Sequence, residues 1–417
     1  MDQTATTINR RQFLTGVLGG GTAAGLVRFS GIGQLLSMAE ASASTVPTRG
    51  PFVLCTLYGG NDGLNTVVPY ESALYRDWRG GLAIPGDQVL PLGGADLHLG
   101  FHPSLTSLYS LWKQGKVAVV LGVEYPKPNF SHFASQTIWQ TGQLSGDPGT
   151  GWLGRWLDVT GTDPFRAISV GPTLPTALVG SNQQASSVVD STSPGSQMPG
   201  QSPPFNVAYH QMMGPFPGEP PLQAGQARSG AYFQKIGAEA ATALSKEKPP
   251  PIPGDRDGGD IANQLQIVAE LISYGFPASV YSVSWSSFDT HSDQAGTHAG
   301  LLSSLDAAIG AFMSDFPSPR PGKSPVLMVY SEFGRTPKAN ASAGTDHSSA
   351  SIVLVVGPGV KGGFYGGMPS FTHLDPWGNF YYTTDFRRLY ATVLEQVLDT
   401  DAPGYVLGGR YRPVEFL

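Results

Sequence analysis

Cysteine occurs once in the 417 residues, at Cys55, so no disulfide can form within the chain. A domain of this length can do without one, because it buries enough apolar surface to be stable. Cys55 itself lies in the apolar run Phe52-Val53-Leu54-Cys55-Thr56-Leu57, the setting of a buried strand residue and not of a thiol nucleophile. Charged side chains are scarce at 13%, and the basic ones form no cluster, so nucleic acid is an unlikely partner. Beyond the N-terminal stretch no apolar run is long enough to span a bilayer. Dinucleotide fingerprints and cysteine-ligand patterns are both lacking, which counts against a redox enzyme. There is no internal repeat, and no contiguous metal motif of the HExxH kind.

What is present begins with a leader. Asn9-Arg10-Arg11-Gln12-Phe13-Leu14 precedes a weakly apolar, Gly- and Ala-rich stretch from Val17 to Leu36, and Ala39-Glu40-Ala41 and Ala41-Ser42-Ala43 both offer small-x-small cleavage sites. The paired arginines resemble the twin-arginine export consensus. Residues 1–43 are therefore expected to be a signal peptide read by the twin-arginine translocase, with a periplasmic or extracellular destination and no transmembrane anchor after cleavage. A membrane anchor is the weaker reading, because Gly19-Gly20-Gly21 and Arg28 interrupt the run. Cleavage removes three arginines and two acids from 25 basic and 31 acidic residues, leaving 22 and 29 and a net charge of about −7.

In residues 44–417, apolar runs at Phe52–Tyr58, Val117–Val123, Ser279–Trp285, Val326–Tyr330 and Ile352–Val356 read as buried strands. Helical periodicity lies between or after them at Pro103–Lys113, Asp260–Tyr274, His298–Phe316 and Thr384–Leu398. The alternation predicts a single α/β domain, a mostly parallel central sheet with helices on both faces. Two Pro/Ser/Gly-rich segments, 181–227 and 246–259, read as surface insertions.

Ligands of open parallel sheets bind beyond the carboxyl ends of the strands. Asn61-Asp62-Gly63 follows the first run, Asp289-Thr290-His291 the third, Glu332-Phe333-Gly334-Arg335 the fourth, and Asp346-His347 sits in the loop before the fifth. A further group, Asn129-Phe130-Ser131-His132, comes after the second. Singly these are turn, cap or ion-pair residues. Carboxylates and imidazoles gathered at one edge instead call for a compensating cation, and such mixed ligands suit Zn, Mn or Mg. The metal set expected is Asp62, Asp289, His291, Glu332, Asp346 and His347.

The strings LYGGNDGLNTVVPY (Leu57–Tyr70), NFSHFASQTIWQTG (Asn129–Gly142), GWLGR (Gly151–Arg155), FDTHSDQ (Phe288–Gln294), YSEFGRTPKAN (Tyr330–Asn340), GTDHSSAS (Gly344–Ser351) and TTDFRRLYATVLE (Thr383–Glu395) resemble the exported bacterial family called domain of unknown function 1501. That family in turn resembles the alkaline phosphatase and sulfatase superfamily. The resemblance implies a metal-dependent hydrolase of phosphate, or less favoured sulfate, esters acting on a small-molecule or polysaccharide substrate. It makes Asp62 the first-strand metal ligand, Asp289, His291 and His347 later ones, Ser131 the nucleophile, and Arg335 a stabiliser of the ester oxygens. Where many superfamily members carry adjacent Asp-His ligands this chain has Glu332-Phe333, and Phe333 cannot bind a metal. That departure leaves open a one-metal enzyme, a changed ligand such as His298, or an exported binding protein that has lost the chemistry. The Cys-x-Pro-Ser-Arg string of typical sulfatases is missing, which excludes a formylglycine enzyme.

Overall fold

The structure, a computed structural model, describes residues 28–29, 50–93, 98–145, 149–171, 174–188, 261–400 and 403–417. Arg10-Arg11, both cleavage sites, and the segments 189–227 and 246–259 lie outside the described residues.

Ten strands form the central sheet: β1 (Arg28–Phe29), β2 (Phe52–Leu57), β3 (Val117–Glu124), β4 (Ala167–Val170), β5 (Ser186–Val188), β6 (Val280–Trp285), β7 (Val326–Ser331), β8 (Ser351–Val356), β9 (Gly363–Gly366) and β10 (Thr384–Asp385). Their order is β1-β5-β4-β6-β2-β7-β8-β3-β9, with β10 also against β3. All pairs are parallel except those of β8, which runs antiparallel to both β7 and β3. The sheet is thus mostly parallel, as the alternation of runs predicts.

Parallel strands covered on both faces read as unbroken apolar runs, and β2, β3 and β7 are buried at every residue. Val53, Cys55 and Leu57 face one layer, containing α-helices Thr106–Lys113, Ile261–Tyr274 and Gln294–Ser314. Phe52 and Leu54 face the other, built on His132–Thr141, Trp152–Thr160 and Arg387–Thr392. Cys55 is fully buried, and burial pushes its thiol up to about 12, so it stays a neutral core side chain.

Three differences from the expected pattern have local causes. The helix expected from His298 begins four residues earlier, at Gln294, because Gln294–Thr297 carry little apolar periodicity to mark the first turn. Ser186–Val188, inside the segment expected to be a surface insertion, pairs in parallel with β4. Arg28–Phe29, inside the expected leader, pairs with Ser187 and Val188 at the sheet edge.

Because β8 is antiparallel, its beginning lies at the edge where the parallel strands end. The loops after β2, β3, β6 and β7 and the loop before β8 therefore meet on one side of the sheet.

Candidate metal centre

The cluster is built around Asp289, four residues beyond β6. Its Oδ1 lies 3.0 Å from His291 Nε2 and 3.0 Å from His347 Nε2, and its Oδ2 is 3.4 Å from His132 Nε2. His132, Asp289 and His347 offer ligand atoms that all lie within 4.8 Å of one another. The Nε2 atoms of His291 and His347 are 2.9 Å apart.

Each imidazole is held from behind by an acceptor. His132 Nδ1 is 2.8 Å from Glu332 Oε1, His291 Nδ1 is 2.9 Å from Asp346 Oδ1, and His347 Nδ1 is 2.8 Å from the Phe130 carbonyl oxygen. A carbonyl or carboxylate oxygen only accepts, so Nδ1 carries the proton in each ring. A ring that is neutral then presents an Nε2 lone pair, and all three Nε2 atoms point toward the Asp289 carboxylate. Such an arrangement is repulsive unless a proton or a cation lies among the atoms. Bonds of roughly 2.0–2.1 Å place neighbouring ligand atoms of a tetrahedral site about 3.3–3.4 Å apart, close to the separations here. Histidines whose second nitrogen donates to a carboxylate or carbonyl are also the usual form of metal-binding imidazoles. The donor set fits a divalent metal, and its imidazole content suits Zn better than Mn or Mg.

Burial pushes the Asp289 carboxyl up, but hydrogen bonding to His347 and Arg335 and the charges of Arg335 and His291 outweigh it and hold it at about 2. Arg335 is wholly buried. Its Nε donates to the Gly60 carbonyl (2.7 Å), its Nη1 to Thr345 (2.8 Å), and its Nη2 to Gly59, Phe288 (3.0 Å) and Asp289 Oδ1 (2.6 Å). A guanidinium so committed ties three loops together. It has no free fork to offer the ester oxygens, the role expected of it.

The expected ligands thus divide by position. Asp289, His291 and His347 converge. Glu332 and Asp346 stand behind the rings of His132 and His291, one step removed from the centre. Asp62 is elsewhere, with 0% side-chain exposure: Arg79 grips it through both guanidinium ends, Gln294 Nε2 donates to it at 2.5 Å and the Asn65 amide at 3.2 Å. Burial would raise its carboxyl, yet the Arg79 charge and hydrogen bonds hold it below the ordinary value. A guanidinium already supplies the compensating charge that the resemblance assigns to a metal. His298, the expected substitute ligand, is also buried away from the centre, with Nε2 2.9 Å from Asn61 Oδ1.

Ser131 occupies the N-cap position of the helix His132–Thr141, exposed, and its hydroxyl makes no capping bond. Its neighbours on both sides belong to the centre, since the Phe130 carbonyl holds His347 and His132 faces Asp289. His132 is the ligand candidate that sequence reasoning missed. It stands in the string NFSHF beside Ser131, in the group that follows the second run.

No curated protein matches this chain. Two solved structures are similar to it at low identity. One is a protein in the alkaline phosphatase superfamily from Vibrio parahaemolyticus, 10% identical, with a TM-score of 0.35, covering 80% of this chain and 70% of that one. The other is the Streptococcus pyogenes phosphoglycerol transferase GacH, in complex with sn-glycerol-1-phosphate, 8% identical, with a TM-score of 0.36, covering 96% and 85%. The family model described as protein of unknown function (DUF1501) matches residues 52–410, most of the chain, and the chain belongs to that family.

Proposed function

We propose that this chain is an exported, metal-dependent hydrolase of phosphate esters, with sulfate esters the less favoured substrates. The observation that carries the reading is the convergence of three imidazole Nε2 atoms on the Asp289 carboxylate, each ring fixed by its own acceptor.

His132, His291, His347 and Asp289 would hold the metal. A divalent cation there supplies Lewis acidity, polarising an ester oxygen and lowering the pKa of a nearby hydroxyl. The protein's own part is positional. Arg335 and the three Nδ1 acceptors fix the ligand atoms before substrate arrives, so little reorganisation remains during reaction. Ser131 presents an uncommitted hydroxyl at the N-terminus of a ten-residue helix, where backbone N–H groups and the helix dipole favour an anion. That makes it the residue of choice for in-line attack on phosphorus: the Oγ–P bond would form as the P–O bond to the alcohol breaks, the alcohol leaving with the serine proton, and water would later hydrolyse the phosphoserine to serine and phosphate. Export by the twin-arginine translocase fits the reading, because that route carries folded proteins, and a folded chain can already hold its metal.

A second reading, a binding or assembly protein on the same scaffold, is favoured by one observation. Arg79 fills the place beside Asp62, which leaves room for one metal where the superfamily resemblance implies up to two. The test separating them is turnover of aryl phosphate mono- and diesters and an aryl sulfate by protein loaded with Zn, Mn or Mg. Absence of turnover with every metal, in protein shown to bind one, would leave the binding reading.

A further inference from the structure

We propose that the dipeptide Glu332-Phe333 is a positioning element of the metal centre, Glu332 setting the rotation and proton of His132 while Phe333 sets the planes of His132 and His347. The inference rests on the reading of His132, Asp289 and His347 as metal ligands. It accounts for the place where the sequence departs most from the superfamily pattern.

Glu332 is 1% exposed. Its Oε1 accepts from His132 Nδ1 (2.8 Å), the Gly59 amide (2.9 Å) and Gln136 Nε2 (3.2 Å), and its Oε2 from the Gly59 and Gly60 amides (3.2 and 3.3 Å). Apart from the His132 imidazole, every one of these donors is an uncharged amide. A buried carboxylate with neutral donors is costly unless positive charge lies nearby, and the route to it runs through the imidazole. By accepting a hydrogen bond from Nδ1 the carboxylate fixes the tautomer and the orientation of the ring. With both oxygens engaged on the far side of the ring, Glu332 cannot itself reach the centre.

Phe333 supplies a different restraint. Its ring centroid lies 4.9 Å from that of His132 and 4.5 Å from that of His347, tilted by 39° and 35°. The two imidazoles are 4.4 Å apart at 74° to each other. The phenyl is a flat wall against which both ligands rest, and it is wedged in place from behind. A Cβ on Gly60, whose φ is +80°, would come within 2.4 Å of its Cε2 atom. Glu332 also bonds the Gly59 and Gly60 amides, so the same two-residue step fixes both elements against the loop after β2.

The experiment uses the full mature chain, with Co²⁺ and Zn²⁺ affinities measured by chelator competition. Melting temperature in chelator and the visible spectrum of the Co²⁺ form are recorded alongside. Glu332→Gln should lower affinity roughly 10- to 100-fold while the melting temperature in chelator changes little. Phe333→Leu keeps an apolar side chain but not a flat one, and should shift the Co²⁺ absorption maximum with the ligand set unchanged. A Glu332→Gln protein that binds within threefold of wild type, or loses only melting temperature in chelator, overturns the proposal. If Glu332→Gln does not fold, Glu332→Asp is read by the same criterion, since it keeps the charge but draws the carboxylate away from His132. A wild-type chain that binds neither metal would overturn the underlying metal reading instead.

Discussion

Arg79 and Asp62 form a two-point ion pair sealed from solvent, joining the helix Ala73–Arg79 to the loop after β2. Removing one partner of a buried pair strands the other charge, which typically costs about 3–5 kcal/mol. Asp62→Ala is therefore expected to lower unfolding free energy by about that amount while leaving the metal content per folded chain unchanged. Urea unfolding and metal analysis of the same preparation check both. Loss of metal with stability intact would make Asp62 a ligand.

Asp289→Ala should have the complementary signature. A metal bound only by the folded chain and present at a hundredfold its Kd adds about 2.7 kcal/mol, so wild type should melt higher with metal than with chelator. The variant should show no such gap and should carry little metal after purification without chelators. Equal melting temperatures for wild type under the two conditions would dispose of the metal reading.

For Ser131→Ala the structure separates two roles. Since the hydroxyl makes no capping bond, its removal should change stability by less than about 0.5 kcal/mol. If it is the nucleophile, turnover of the best aryl ester should fall by about 10³-fold or more with metal content preserved. A variant as active as wild type excludes that role.

His298 makes stability fall in acid. Burial lowers its pKa from 6.5 to about 4, so the unfolded chain takes up a proton as pH falls through 6.5 and the folded chain does not until about 4. The folded state is then fully favoured above pH 6.5 and loses up to about 3 kcal/mol between there and pH 4. In His298→Gln, whose amide can still donate to Asn61, the decline of urea-unfolding free energy from pH 7 to 4.5 should be shallower. An identical decline would exclude His298 as its source.

Export is tested at Arg10 and Arg11. With both replaced by Lys the precursor should remain in the cytoplasm in cell fractionation. Normal export by a strain without the twin-arginine translocase would refute the assignment.

The sheet centre was legible because parallel strands buried on both faces, such as Phe52–Leu57 and Val326–Ser331, leave apolar runs that nothing else explains. The edges were not. Ala-Ile-Ser-Val, Ser-Ser-Val and Gly-Phe-Tyr-Gly are too short, polar or glycine-bounded to stand out, and take strand form only because a neighbour offers its ladder. At the sheet edge, residue type and strand-end position gathered Asp289, His291, Glu332, Asp346 and His347 alike. They could not show which side chains meet and which stand behind the rings, because Glu332 and Asp346 are the same chemical types as Asp289 at the same edge. Nor could spacing show that Arg79 folds back onto Asp62, a contact made by tertiary packing alone.

The reversed direction of β8 has a consequence for how the molecule comes together. His347 lies four residues before β8 and pairs with Arg335 just after β7, so the reversed strand brings its imidazole back to the edge where Asp289 lies. Contacts between residues 132, 289 and 347 are of long range and close large loops. The full donor set is therefore present only when all three chain segments have closed onto one edge of the sheet.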